Sequence, residues 1–450
     1  MPAGARPHML YVVWGFPPCR GSGVYRALAT ANAFAREGYD VTVLTCEREV
    51  FLNYTGADLT LEQEVDPTIR VVRVPFSWPT LDPDVRGYSA LRALAPRLWA
   101  KQRVRRDRLP FPETAYGPWR PVLEAAAELI HAERPVDLVV ATANPHVTFA
   151  AAWRLHRRHG IPYVMDYRDA WSLDVFSGAR VNGQRSRAGR WEARLVAGAS
   201  EVWFVNDAIR DWHAATYPTA AARMHTVANG YDPEYAAEAV TRRPDPAAGL
   251  SFGYLGTIST KVPLAEFIAG WRLARTRSDV VARSTTTFHG YLGHYQLPNP
   301  ALQAMLQSAA EDGVRHGGPI PKTGVREVYE SHDVLLLVLG TGRYVTSGKV
   351  FEYLATGLPV VSVHDPGNAA SDILRGYPLW SPVEGLAPEQ IADAMLRAAD
   401  ASVHADEAIR AASAAFGRAF RRDAQLSPRV AALREVAVRR TAALPAGAGA

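Results

Sequence analysis

Short runs that are apolar throughout alternate with longer, more mixed stretches along the first half of the chain. MLYVVWGF, YDVTVLTC, IRVVRVPF, DLVVATAN, IPYVMDY, EVWFVND and MHTVANG read as strands. YRALATANAFAREG, with a glycine stop, VLEAAAELIHAERP and FAAAWRLHRRHG read as helices. Strands that are apolar on both faces belong to a parallel sheet covered on both sides. Strand–helix alternation builds a doubly wound α/β domain. At 242–249 the sequence RRPDPAAG turns polar and Pro-rich and reads as a linker. The pattern then restarts with strand LSFGYLGTI, helix PLAEFIAGWRLAR, strand TTTFHGYLG, helix ALQAMLQSAAEDG, strand VRHGGPI, helix VREVYESH and strand DVLLLVLG. A helix and strand, SGKVFEYLATGLPVVSV, follow. The expectation is two α/β units, 1–241 and 250–408. Helices over 409–440 would pack back on the first unit, and 441–450 would be a frayed tail.

A chain of 450 residues exceeds one ordinary core, which agrees with two units. Apolar residues at 48% and charged residues at 21% give a globular balance. The net charge of +5 is mildly basic and fits an anionic ligand, a membrane surface or no partner at all; no nucleic-acid partner is expected. Cys19 and Cys46 are too few for a disulfide scaffold and point to a reducing, cytoplasmic setting. The N-terminal apolar run is brief and reads as a strand, not a signal peptide. No run approaches the roughly 20 apolar residues of a spanning helix. The expectation is a soluble protein that at most rests on the inner membrane face.

Residues 77–120 break the rhythm with many Pro and Arg residues, including LRALAPRLWAKQRVRRDRLPF. Two readings stand. One is a basic arm, through 92–108, for a membrane face or an anionic acceptor. The other is a solvated excursion in which Pro96 interrupts any long amphipathic helix.

Two glycine-rich turns precede helices. In GFPPCRGSGVYRALA, Gly21, Ser22 and Gly23 let the backbone approach a ligand, and the helix N-terminus offers N–H groups to an anion. The turn is not G-x-G-x-x-G, because position 26 is arginine. The second turn is SGKVFEYLATG. It is not a P-loop either: Gly342 lies one residue too far from Gly348, and Val350 follows Lys349. Ser347 would cap the helix. N–H groups around Gly348 and the charge of Lys349 would meet a phosphate. Glu352 lies about one turn further on and would accept hydrogen bonds from adjacent hydroxyls such as those of a ribose. Phosphate and ribose together describe a nucleoside diphosphate. The plainer alternative is a Lys349–Glu352 pair on a solvated helix end.

Four stretches, YVVWGFPPCRGSGVYRALATANAFAREGYDVTVLT, VVATANPHVTFAAAWRLHRRHGIPYVMDYRDAW, HTVANGYDPE and SGKVFEYLATGLPVV, together resemble retaining glycosyltransferases of the two-domain GT-B type, family 4, in the branch with D-[FY]-R-D-x-W and S-G-K-x-F-E-Y-L motifs. The resemblance implies two Rossmann-like domains facing a cleft. It implies a nucleotide-diphosphate sugar as donor and an acceptor, small-molecule, glycan or lipid-linked, on the N-terminal domain, with no metal and no separate cofactor. Glu352 would hold the donor ribose, and Ser347, Gly348 and Lys349 the diphosphate. Gly23 would approach the distal phosphate, flanked by Gly21 and Ser22. Lys261 would be a second basic group, and Ile320 in GGPIP would line the base. Asp166, Arg168 and Asp169 would face the cleft, with His146 a further candidate. In this family's usual account the leaving diphosphate helps deprotonate the acceptor. Cations and helix dipoles on the leaving group then matter more than a strong base. The sequence departs from the family at Tyr344, where a second glutamate is common, and near Arg168, where a histidine is common. That departure keeps two alternatives open: a nucleotide-sugar-binding protein without ordinary transfer, and a GT-B-like epimerase. The D-x-D at Asp82–Asp84 lies in a Pro-rich loop and reads as coincidence.

Overall fold

The structure is a computed structural model and describes residues 6–82, 84–234, 236–293, 299–321, 324–340 and 342–443. The expected tail at 441–450 lies mostly outside this range. The chain divides into two compact units. The first comprises residues up to Asp174, Ala179–Val227 and the chain from Leu426; the second comprises Val175–Gly178 and Ala228–Gln425. The change-over thus falls at Val227/Ala228, upstream of the stretch read as linker. Ala228, Tyr231, Ala236 and Ala237 pack into the core of the second unit. The C-terminal helices also divide. Glu407–Arg418 belongs to the second unit. From Leu426 onward, Leu426, Val430 and Leu433 enter the core of the first.

The first unit contains β1 (His8–Val12), β2 (Asp40–Cys46), β3 (Arg70–Val74), β4 (Leu138–Ala143), β5 (Tyr163–Tyr167), β6 (Glu201–Phe204) and β7 (Met224–Thr226). They pair in the order β3-β2-β1-β4-β5-β6-β7, and every pair is parallel. All residues of β1, β4 and β5 are buried, as strands apolar on both faces require. The strand order reverses between β1 and β4, and such a reversal opens a crevice at the strands' C-terminal ends.

The second unit contains β8 (Ser251–Leu255), β9 (Thr285–His289), β10 (Val314–Gly318), β11 (Val334–Val338), β12 (Val360–Val363) and β13 (Trp380–Pro382). They form a parallel sheet in the order β10-β9-β8-β11-β12-β13. Successive side chains of a strand point to opposite faces, and β11 shows the result. Val334, Leu336 and Val338 pack with helices Leu264–Arg277 and Pro388–His404. Leu335 and Leu337 pack with helix Lys349–Thr356. Here the order reverses between β8 and β11.

One polar pair sits deep in the first unit. Arg26, on helix Val24–Arg36, reaches Asp166 of β5 with Nε 2.9 Å from Oδ2 and Nη2 2.6 Å from Oδ1. It also donates to the Val227 carbonyl at 3.0 Å, while the Thr142 hydroxyl donates to Asp166 at 3.0 Å. Both ionic side chains are essentially inaccessible, at 2% and 0% exposure. Asp166 therefore does not face a ligand, contrary to the expectation from its motif. One residue before the end of β5, it turns into the core, toward the arginine at the position of the third glycine of a G-x-G-x-x-G.

Among the described residues no helix is long and apolar enough to cross a membrane. Cys19 and Cys46 are buried and free.

Removing one member of a buried, hydrogen-bonded ion pair strands the other. Arg26→Met or Asp166→Leu alone should each destabilise the first unit by about 3–5 kcal/mol, read from denaturant unfolding. The double variant should lose less than either single. Additive losses would show that the pair is not coupled.

Candidate functional site

The crevice at the strand-order reversal of the second sheet holds a cavity of about 310 Å³. Its walls come from the loops after β8 (Gly256, Thr257), β9 (Gly290, Tyr291) and β10 (Pro319, Ile320), and from Ser347, Lys349 and Glu352 at the start of helix Lys349–Thr356. This volume lies at the small end of ordinary ligand pockets. Ser347, Lys349, Glu352 and Ile320, four residues selected from the sequence, thus line one cavity.

Helix Lys349–Thr356 is pinned to the sheet by its own residues. Val350, Phe351, Tyr353 and Leu354 are buried, and the Tyr353 hydroxyl accepts the Leu255 N–H at 3.0 Å. Gly348 occupies the N-cap, with φ −57° and ψ −28°. Ser347 is therefore one residue outside the cap position expected for it, because the chain already enters the helical region at the glycine. Gly348 is exposed, and a side chain there would meet open space. Ser347 and the half-buried Lys349 line the cavity, and Gly348 between them does not.

The Lys349 ammonium is tightly surrounded. Nζ lies 3.9 Å from the centroid of the Tyr254 ring, a cation–π distance. It also lies where a β-carbon on Gly256 would come within 2.4 Å. Gly256 has φ +136°, which strains any other residue, and a side chain there would also displace the lysine. Burial pushes the Lys349 pKa down to about 7, and the Glu352 carboxylate only partly opposes this. Glu352 accepts a hydrogen bond from the Tyr329 hydroxyl at 2.5 Å. The pair is therefore not a solvated helix end. It is a cation and a carboxylate on adjacent turns of one cavity wall. Tyr329, Tyr254 and Gly256 were not selected from the sequence. Two are aromatic residues in ordinary strand or helix patterns, and their role appears only when three distant segments meet.

Lys261 lies elsewhere. It is exposed, with Nζ 4.0 Å over the Phe176 ring. It borders a different cavity of about 420 Å³ that includes Gly340 and Asp365. The structure does not bring it to Lys349. Tyr344 packs near Gly178, where a β-carbon would stand 3.0 Å from its ring.

At the C-terminal ends of the first sheet a second group converges. Gly23 is the N-cap of helix Val24–Arg36. A β-carbon there would be 1.9 Å from Arg168 Nη1, so the guanidinium lies directly over the glycine. Arg168 pairs with its neighbour Asp169 at 2.5 Å. Gly21 and Ser22 are exposed, and the Gly21 N–H points at Cys19 Sγ, 3.4 Å away. His146 is buried and stacks on Trp171, centroids 5.1 Å apart. Its Nδ1 meets Glu113 Oε1 at 3.2 Å, and its Nε2 meets the Asp169 carbonyl at 3.2 Å. Burial opposes its charge, but these two acceptors outweigh it, and the pKa is raised above the ordinary value. With both ring nitrogens occupied, His146 orients the Arg168–Asp169 turn and offers no free base. Glu113 also accepts the His146 and Val147 N–H groups at 3.0 and 2.9 Å and so holds the start of helix Thr148–His159. Glu113 comes from the Pro- and Arg-rich excursion and carries no motif that would have singled it out.

Among the described residues no group of three or more His, Cys, Asp or Glu side chains is arranged to hold a metal ion.

Residues 21–230 match the glycosyl transferase 4-like domain. No curated protein sequence matches the chain. Solved structures share the fold over nearly its whole length. An α,α-trehalose 6-phosphate synthase from Burkholderia multivorans is 16% identical, with TM-score 0.62, covering 97% of this chain and 100% of its own. HepE from Anabaena, in complex with UDP and glucose, is 15% identical, with TM-score 0.54, covering 97% and 99%. A UDP-N-acetylglucosamine 2-epimerase described from Listeria monocytogenes is 10% identical, with TM-score 0.56, covering 97% and 98%. The fold is therefore GT-B, with two parallel-sheet, Rossmann-like units, as the sequence implied.

A bound diphosphate favours the charged form of Lys349, so binding in the cavity should draw in a proton near pH 7. The affinity for inorganic pyrophosphate should fall as pH rises from about 7 toward 9. Calorimetry in buffers of different ionisation enthalpy would reveal the proton. Lys349→Met should bind more weakly and lose that pH dependence; an unchanged profile would remove Lys349 from the anion site.

Proposed function

We propose that the protein is a glycosyltransferase that moves a sugar from a nucleotide-diphosphate sugar to an acceptor with retention of configuration and without a metal ion. The observation that carries this reading is the single cavity in which Lys349 and Glu352 lie one turn apart. The domain match over 21–230 supports the same class. The nucleotide complex of the Anabaena relative in fold supports the donor type.

The roles follow from charge. The donor ribose hydroxyls donate to Glu352, whose carboxylate already takes one hydrogen bond from Tyr329. The base lies toward Ile320 and Pro319. The diphosphate meets Lys349 and the N–H groups at Gly348. When the bond between the anomeric carbon and the diphosphate oxygen breaks, negative charge grows on the leaving group, and Lys349 and the helix N-terminus are placed to stabilise it. The acceptor hydroxyl forms the new bond to the anomeric carbon, and its proton passes to the departing diphosphate. Arg168 and Asp169 on the first unit are the groups we assign to the acceptor side. Gly23 keeps space there for Arg168. The setting we assign is the cytoplasm.

A second reading keeps the donor site and drops transfer: a nucleotide-sugar binder or an epimerase. Tyr344 in place of an acidic side chain favours it, and the Listeria epimerase has the same fold.

A panel of nucleotide-diphosphate sugars, with and without candidate acceptors, separates these readings. Transfer requires acceptor-dependent release of nucleoside diphosphate and a product with the donor's anomeric configuration. Interconversion of the sugar without acceptor would establish the epimerase. If no member of the panel raises the melting temperature, the donor assignment falls. Glu352→Ala should weaken donor binding by about tenfold to a hundredfold, the worth of a charged hydrogen bond. Deoxyribose analogues should bind the parent protein more weakly and the variant no differently. Lys349→Ala should slow turnover more than it weakens binding; equal losses would contradict a role in the transition state.

A further inference from the structure

The segment from Ala90 to Leu109 is built with its polarity reversed. It contains helices Ala90–Leu94 and Pro96–Asp107, the second begun by Pro96 rather than broken by it. In the second helix the buried residue is Asp107, which pairs with Arg103 at 2.6 Å and accepts the Ala115 N–H at 3.2 Å. The join of the two helices is held by Arg92. Its guanidinium lies 3.5 Å from the Tyr88 ring centroid and 4.7 Å from that of Trp99, and it donates to the Asp82 carbonyl at 3.0 Å. Polar and cationic groups thus do the anchoring. The leucines point outward instead: Leu94 is 86% exposed, Leu98 59% and Leu109 69%. Arg97, Lys101, Arg105, Arg106 and Arg108 are exposed among them, and the one acid between 92 and 108, Asp107, is buried. Leu98 and Arg105, seven residues apart, share one face of the helix, with Lys101 beside them.

We propose that this outward face docks the protein on an anionic lipid bilayer. Isolated leucines interleaved with long cationic side chains match a surface whose charged layer overlies an apolar one. The leucines enter the acyl boundary while arginines remain at the headgroups. A folded protein partner would instead favour a contiguous apolar patch with a polar rim. The anchors at Arg92 and Asp107 hold the face ready in advance, so docking orders little new chain. The Pro- and Arg-rich excursion is then a membrane surface and not merely a solvated loop. The inference does not rest on the transfer reaction.

The test is co-sedimentation of the full chain with vesicles of phosphatidylcholine alone or mixed with phosphatidylglycerol. The protein should pellet with the mixed vesicles and not with the neutral ones, and high salt should release it. Arg97→Glu/Arg105→Glu should reduce the partition coefficient by about fivefold or more for each charge removed. Leu94→Ser/Leu98→Ser should abolish pelleting while circular dichroism and pyrophosphate binding stay as in the parent. Failure of the parent to bind mixed vesicles overturns the proposal, as does binding by both variants at the parent's level. A dimer in sizing experiments that Leu94→Ser/Leu98→Ser dissolves would assign the face to a second copy of the chain instead.

Discussion

Every strand pair in both sheets is parallel, and the placement of chemistry in this molecule follows from that constraint. Parallel strands deliver all their C-terminal ends to one edge of a sheet, and each must be followed by a crossover. The loops at that edge therefore meet although they are far apart in sequence. Where the strand order reverses, neighbouring crossovers leave on opposite faces and a gap remains. In the second unit the gap lies between β8 and β11, and it holds Gly256, Ile320, Lys349 and Glu352. In the first it lies between β1 and β4, with the Gly23 and His146 turns on its two sides. The pairing of β8 with β11 is what puts a residue near 256 against one near 349.

The two units treat buried charge in opposite ways. Arg26 and Asp166 neutralise each other with near-complete hydrogen bonding, so the charge is a fixed structural tie between a helix, β5 and the end of β7. Lys349 is surrounded by an aromatic face and a glycine, and its carboxylate neighbour also engages a tyrosine. Its charge is poorly compensated while the cavity holds no anion. The first arrangement is electrostatically closed; the second leaves a cation that its carboxylate neighbour only partly offsets.

The fold was largely legible because most strands buried on both faces are apolar throughout, and twelve strand runs with intervening helices leave few alternatives; β13 carried no such run. Lys349, Glu352 and Ser347 were legible as a set because a single helical turn brings them together. The rest depended on distant partners. Asp166 looked like a ligand group until Arg26, 140 residues away, was found against it. Glu113, Tyr329 and Tyr254 act through contacts that no local pattern encodes. Lys261 was implied by the resemblance alone, and its loop carries it over Phe176. The unit boundary escaped the composition because 228–241, although it precedes the Pro-rich stretch, is held by apolar packing to the second core.

Gly23 illustrates how a position can be constrained from outside. Its backbone is helical, φ −72° and ψ −16°, so nothing in its own dihedral angles demands glycine, although at an N-cap glycine serves the helix better than alanine does. What a methyl group would meet is the Arg168 guanidinium, the end of a flexible side chain that would have to move aside. The tolerance of this site is therefore conditional. In a background where Arg168 has already been shortened, the substitution becomes permissible, whereas in the present background it displaces the arginine. A substitution at Gly23 is therefore felt at Arg168, whose displacement it requires.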